Sequence, residues 1–247
     1  EMLFEEDKIN DFQNQIIKFN KNEPFNNRVA AISSYASEQW GVKNNYDFCK
    51  IPISYLDHVN LSSELEDNNF SYKELINECQ NLVEVWEPDD STTTNGTQTF
   101  GNLFNLESKN IDILKKIIYK NIEAHKIRYK NENDLYIKKW PINRFLNGWI
   151  VNLKSGGFQD SHIHQNAWLS GVFYINVPKS KNKDGGSIKF TSKGFDYSMK
   201  KNETIEKIIN PAKGDLVLFP SSLFHQTIPF NSDDERICLA FDMMPIF

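Results

Sequence analysis

From Trp140 onward the chain is a succession of short runs rich in Val, Ile, Phe and Tyr, each closed by a turn signal, and this rhythm limits the fold more than any other feature. The runs include FLNGWIVNL (145–153), HIHQNAWLSGVFYINVP (162–178), SIKFTS (187–192), ETIEKIIN (203–210), DLVLFPSS (215–222), FHQTIPF (224–230) and RICLAFDMM (236–244). Between them stand SGG, NKDGG, PAKG and NSDDE. Roughly eight strands at such close spacing form an all-β barrel or sandwich.

The first half has a different texture. Ile9, Phe12, Ile16 and Phe19 recur at spacings of three and four, and Val29 to Trp40 ends on Gly41, so two helices are expected in the first fifty residues. A third helix is expected over about 71–86, with Tyr72, Leu75, Ile76, Cys79, Leu82, Val83 and Trp86 on its buried stripe and Pro88 as terminator. A fourth spans about 109–129 with Ile113, Leu114, Ile117, Ile118 and Ile122 inward. Between these two lies a polar, turn-rich stretch, 88–100, that reads as a surface loop or an extended edge. Helices first and strands afterwards predict an α+β arrangement with helices packed on the outside of the sheet.

Bulk properties set the function classes. The chain has 247 residues, 39% hydrophobic and 13% aromatic, enough for one large core. Its net charge of −5 comes from lysines scattered among acids, without the basic stripe of a nucleic-acid binder. No apolar run approaches the length of a membrane span, and the start lacks a signal-peptide pattern, so a cytoplasmic location is expected. Cys49, Cys79 and Cys238 are odd in number and sit among apolar neighbours, as reduced, buried thiols do.

Three of the five histidines fall in two of the strand runs, His162 and His164 in SHIHQNAW and His225 in SSLFHQTIPF. Residues i and i+2 of an extended strand share a face, so His162 and His164 can present two imidazoles to one metal. A histidine from a distant strand then completes a facial set with open positions. His58 and His125 lack such company and read as structural.

From Asn152 to Met243 the sequence resembles the prolyl-hydroxylase-like branch of the 2-oxoglutarate/Fe(II) oxygenases, most closely the bacterial and phage type with an H-x-H motif. Five features occur in order: HIH at 162–164, SGVFYIN at 170–176, GGSIKF at 185–190, INPAKGDLVLFPSSLFHQTIPF at 209–230, and Arg236 eleven residues after His225. The resemblance implies a double-stranded β-helix, or jelly-roll, core, within residues 50–247 together with its supporting helices; the N-terminal helical extension over 1–49 falls outside the resemblance and could serve dimerisation, form the tail of a helical repeat, or simply pack on the core. The resemblance also implies Fe(II) and 2-oxoglutarate as cofactors, His162 and His225 as iron ligands, Arg236 and Tyr174 on the far carboxylate of 2-oxoglutarate, and Asn152 beside that co-substrate. Arginine's planar fork suits a carboxylate; its ordinary alternative is a surface ion pair with Asp233, Asp234 or Glu235. The implied reaction hydroxylates a C–H bond of a small-molecule or peptide substrate, releasing succinate and carbon dioxide. Trp149, Trp168, Phe173 and Phe190 are candidates for the pocket wall or the core.

The family's usual third ligand is a carboxylate two residues after the first histidine, and His164 stands there instead. Three arrangements follow: His164 as a third imidazole, Asp160 as the carboxylate, or two histidines and water. Losing the negative charge weakens Fe(II) binding unless neighbouring groups compensate. A cupin shares H-x-H and a later histidine strand, but QNAWLSG lacks the cupin glutamate and leaves Arg236 without a role. A catalytically silent β-helix that binds a partner is the remaining alternative.

Overall fold

The computed structural model describes residues 1–79, 82–89 and 91–246. Its N-terminal part holds α1 (Met2–Glu5), α2 (Ile9–Asn22) and α3 (Asn27–Trp40). The Asn26 side chain caps α3 by accepting from the Val29 N–H, and Gly41 ends it in the left-handed region at φ 68°, where a side chain would be strained. Then come β1 (Asp57–Asn60), α4 (Ser62–Asp67), α5 (Tyr72–Cys79), β2 (Glu84–Trp86), β3 (Thr93–Thr99), α6 (Lys109–Arg128) and α7 (Leu135–Lys138). Ser108 caps α6 through the Ile111 N–H. The remaining strands are β4 (Arg144–Gln159), β5 (Leu169–Asn176), β6 (Ile188–Thr191), β7 (Glu206–Ile209), β8 (Asp215–Pro220), β9 (Phe224–Thr227) and β10 (Arg236–Pro245).

Two expectations need correction. The third helix is described over Tyr72–Cys79 and does not reach 86; positions 80 and 81 of that expectation lie outside the described residues, as does position 90 of the polar stretch. Val83 and Trp86 are 71% and 47% exposed, and Glu84–Trp86 is an edge strand paired with β3. In so short an apolar run, helical and alternating patterns overlap, and the pairing partner decides. The polar stretch in turn contains β3, which pairs with β2 on one side and β4 on the other. Gly96 permits this approach, since a Cβ there would sit 2.5 Å from the Asn152 carbonyl oxygen.

Among the described residues ten antiparallel strands form two sheets, a seven-stranded one in the order β1-β8-β5-β10-β4-β3-β2 and a three-stranded one in the order β7-β6-β9. Alternation assigns each strand of the large sheet two faces. Val151, Leu153, Val172, Tyr174, Val217, Phe219, Cys238 and Ala240 point inward, against Ile188, Phe190 and Ile209 of the small sheet. Leu169, Phe173, Ile175, Leu216, Leu218, Leu239, Phe241 and Met243 point outward, into one cluster with Phe12, Ile16, Ala30 and Tyr35 of the N-terminal helices and Ile111, Leu114 and Ile118 of α6. The result is an α+β fold, a double-stranded β-helix with helices on its outer face. Among the described residues no helix is long and apolar enough to cross a membrane.

Candidate metal centre

His225 lies on β9, and His162 follows the end of β4 by three residues. The two pair as a single antiparallel bridge, His162 N–H to His225 C=O at 3.0 Å and His225 N–H to His162 C=O at 3.1 Å. The H-x-H segment is therefore not the regular strand expected from sequence: past the bridge it leaves the sheet and turns at Gln165 and Asn166. Two contacts hold that turn. The His164 N–H donates to Ser221 C=O at 3.0 Å, and the buried Asn27 of α3 places its Nδ2 3.0, 3.1 and 2.6 Å from the carbonyl oxygens of His164, Gln165 and Ala167.

The three rings converge, with centroids 4.2 Å apart for His162 and His225 and 5.2 Å for each ring to His164. One ring nitrogen from each lies within 4.8 Å of the other two, close enough to share one cation. Each Nδ1 faces a pure acceptor: Asp160 C=O at 2.6 Å for His162, Leu223 C=O at 3.1 Å for His225, and the Asp242 carboxylate at 2.9 Å for His164. A proton accordingly sits on each Nδ1, and in the neutral ring Nε2 keeps its lone pair. Asp160 stays outside this group, its side chain exposed and its backbone engaged, the carbonyl by His162 Nδ1 and the N–H by Thr92 C=O at 2.9 Å.

Burial pushes the pKa of His162 down to about 4, with the neighbouring His164 adding to the effect. His225 lies well below the ordinary range, through burial and then through the two other imidazoles. Burial also opposes charge on His164, but Asp242 outweighs it and the net shift is upward. His162 and His225 are thus neutral at pH 7, the form that binds a metal ion.

A narrow inner cavity extends from the rings between the sheets, lined by Trp149, Gln159, Val172, Phe219, Thr227 and Arg236. Arg236 opens β10 and is 1% exposed. Its Nε donates to Gly186 C=O at 2.9 Å, Nη1 lies 3.3 Å from Cys238 Sγ, and its guanidinium stands 5.0 Å from the centre of the Tyr174 ring. No carboxylate pairs with it among the described residues, and Glu235 bonds Asn152 instead. The Tyr174 hydroxyl is buried without a well-formed hydrogen bond, and burial raises its pKa, so it stays a proton donor. A buried cation costs several kcal/mol when unpaired, so this end of the cavity fits an entering anion. The donor set fits both groups that the sequence resemblance implies, three imidazoles for Fe(II) and a guanidinium with a phenol for a carboxylate.

Residues 147–242 match the sequence family of 2OG-Fe(II) oxygenases. Over that segment, which holds His162, His164, His225 and Arg236, the chain is similar to this family. No curated protein matches the chain by sequence. Among solved structures it is similar to a prolyl-4-hydroxylase from Pseudomonas putida, with 15% identity over 81% of this chain and 96% of that one and a TM-score of 0.53. It is also similar to a prolyl hydroxylase from Trichoplax adhaerens, with 13% identity over 88% and 90% and a TM-score of 0.50. A non-heme α-ketoglutarate-dependent epimerase from nogalamycin biosynthesis is 12% identical over 77% of this chain and 76% of that one, with a TM-score of 0.55. At these identities the structural likenesses speak for the double-stranded β-helix. The family match makes the chain an oxidoreductase with Fe(II) and 2-oxoglutarate as cofactors.

Within the oxygenase, Asn152 does not reach the inner cavity. On β4 the parity that sends Val151 and Leu153 inward sends Asn152 to the other face, where its Nδ2 donates to Glu235 at 2.9 Å. Trp149 has the inward parity. Its ring stacks on His164 at 5.8 Å and 21°, and its Nε1 is buried without a partner. Phe190 lies 6.2 Å from the His225 ring, whereas Trp168 and Phe173 belong to the helix-side core. His125 and His58 bond Asp57 and Asp215, away from the centre.

Sequence reasoning missed Asp242. It accepts from His164 Nδ1 and, at 2.6 Å, from the Ser170 hydroxyl. The signal was available, a lone acid in the apolar run RICLAFDMM.

Proposed function

We propose that His162, His164 and His225 together hold the Fe(II), that Arg236 and Tyr174 bind the far carboxylate of 2-oxoglutarate, and that the enzyme hydroxylates a C–H bond of an uncharged polar substrate. The observation that carries this reading is a buried arginine, without an acidic partner among the described residues, lining the same cavity as the three-imidazole cluster. Bound Fe(II) and 2-oxoglutarate supply dioxygen activation, with succinate and carbon dioxide as co-products. The protein's own part is to orient and to exclude water.

Arg236 offers a desolvated fork of donors, which favours a carboxylate over water. Tyr174, kept protonated by burial, adds a hydroxyl donor beside it. As the side chains stand, the inner cavity is about 20 Å³, smaller than a dicarboxylic acid. Binding therefore moves the partly exposed Trp149 and Gln159 at its mouth. Outside them lies a second cavity of about 470 Å³ that shares His162 and His164. Its wall carries Gln98, Asn147, Gln165 and Asn166 with Phe195, Met244 and the His164-bound Asp242, and no lysine or arginine among the described residues. Such a wall hydrogen-bonds a neutral molecule and gives a phosphate no counter-charge. The unpaired, buried thiols support a reducing, cytoplasmic setting.

The test is anaerobic titration with Fe(II) and 2-oxoglutarate, followed by succinate assay on admitting oxygen. The chelate's visible charge-transfer band and succinate release are expected in the wild type, and both should vanish in His225→Ala. Metal binding with no affinity for 2-oxoglutarate would instead favour the cupin alternative, which gives Arg236 nothing to do.

A further inference from the structure

Asp242 stands directly behind His164, on the side away from the cluster. It sits on β10 in register with Ser170 of β5 and Asn147 of β4, so the sheet fixes its backbone from both sides. Its carboxylate oxygens lie 2.7 and 2.9 Å from His164 Nδ1. The Ser170 hydroxyl donates to it at 2.6 Å and lies 2.8 Å from the Ser221 hydroxyl, while Ser221 C=O accepts the His164 N–H. Asp242 is 9% exposed and has no lysine or arginine partner among the described residues. Its ion-pair partner is the imidazole alone.

We infer that Asp242 is a positioning residue that supplies, one imidazole removed, the negative charge which His164 takes away from the centre. The inference rests on His164 being a metal ligand. A carboxylate two residues after His162 would donate its charge directly to the cation. With His164 in that place the charge arrives through the ring: the Nδ1–H bond to Asp242 fixes the tautomer, aims Nε2 at the other imidazoles, and makes that nitrogen more basic. The same bond sets the angle of a side chain that stands on a turn instead of in a strand. The hydroxyl relay through Ser170 and Ser221 joins the carboxylate to the backbone that carries His164, so the parts move as one unit.

The experiment is Co(II) and Mn(II) titration of the purified protein and of Asp242→Asn, Asp242→Ala and His164→Ala, with thermal unfolding of each metal-free form as the folding control. Asp242→Asn keeps the shape and one acceptor but not the charge, and its metal affinity should fall about 10- to 100-fold. Asp242→Ala should fall further. Spin-echo modulation of the Cu(II)-loaded protein should count three coordinated imidazoles in the wild type and in Asp242→Asn, and two in His164→Ala. Unchanged metal affinity in Asp242→Asn, with His164→Ala still defective, would overturn the role of Asp242 alone. Unchanged affinity in His164→Ala, or two imidazoles in the wild type, would overturn the three-imidazole centre beneath it. Should Asp242→Ala fail to fold, the nearly isosteric Asp242→Asn decides the matter.

Discussion

The two faces of β10 are built for different purposes. Facing the small sheet are Arg236, Cys238, Ala240 and Asp242, a cation and an anion separated by two small side chains. Facing the helices are Ile237, Leu239, Phe241 and Met243, packed in the largest apolar cluster of the molecule. A strand of one sequence thus gives its odd positions to stability and its even positions to a cavity with charged ends. The small residues at 238 and 240 border the inner cavity between those ends.

The sharpest way to break this division is to remove the largest outward ring. Phe241 is fully buried, edge-on to Phe104 at 6.2 Å, and covers Gly171. Phe241→Ala should cost about 3–5 kcal/mol in urea unfolding and leave the 2-oxoglutarate affinity of the folded protein unchanged. A large loss of affinity at normal stability would mean that the two faces are not separable. The inward counterpart is Arg236→Met. Removing a buried, hydrogen-bonded charge that meets an anionic ligand costs about 2–5 kcal/mol of binding, so 2-oxoglutarate affinity should drop at least about 30-fold by calorimetry. Stability should hold or rise, because the arginine has no ionic partner without ligand. A fall in melting temperature would show that the guanidinium supports the fold.

The helix-covered side is tied by charge as well as by apolar contact. Asp57 of β1 accepts from His125 Nδ1 at 2.9 Å, Arg128 at 2.5 Å and Tyr129 at 3.1 Å, pinning α6 to the sheet edge. Burial alone would raise its pKa, but the bond to His125 and the charges of His125 and Arg128 prevail and hold it below the ordinary value. A carboxyl depressed on folding stabilises fully above its unfolded pKa, about 4, and that contribution is lost as pH falls through the folded value. Urea midpoints should therefore drop below about pH 4, and Asp57→Asn should start lower at pH 7 and show a shallower acid dependence. An identical acid slope in Asp57→Asn would assign the effect to other carboxyls.

Sequence alone showed the strands after Trp140 and the helices around Ile16, Ala36 and Ile118; of the residues it singled out, His162, His164 and His225 lie together, and Arg236 lines the same cavity beside Tyr174. These were legible because alternation and helical spacing are local properties, and because the motif preserves order along the chain. What escaped was set by partners far away in sequence. TTNGTQT has no apolar alternation, and β3 exists because β4 and β2 flank it. Glu84–Trp86 looked helical until the same partner claimed it. Asn152 was placed beside the co-substrate by motif position, although counting parity from Val151 would have put it on the opposite face. Asp242 lay too far from the H-x-H motif for spacing to connect them; only the pairing of β10 with β5 brings it behind His164.

The mildest test concerns the boundary between the inner cavity and the outer one. Trp149 lines both, stacks on His164, and carries an indole N–H that is buried without a partner. The inner cavity as it stands is smaller than 2-oxoglutarate, and Trp149 is one of the partly exposed side chains between it and the outer cavity, so entry past this ring would change the indole's surroundings. Tryptophan fluorescence of the metal-loaded protein should shift on adding 2-oxoglutarate, and the shift should disappear in Trp149→Phe. Phe keeps a smaller aromatic wall and removes the unpaired N–H along with part of the ring, and at this partly exposed position stability and 2-oxoglutarate affinity should change by about 1 kcal/mol. If the signal survives the substitution, the co-substrate enters past another side chain, and Gln159 becomes the one to vary.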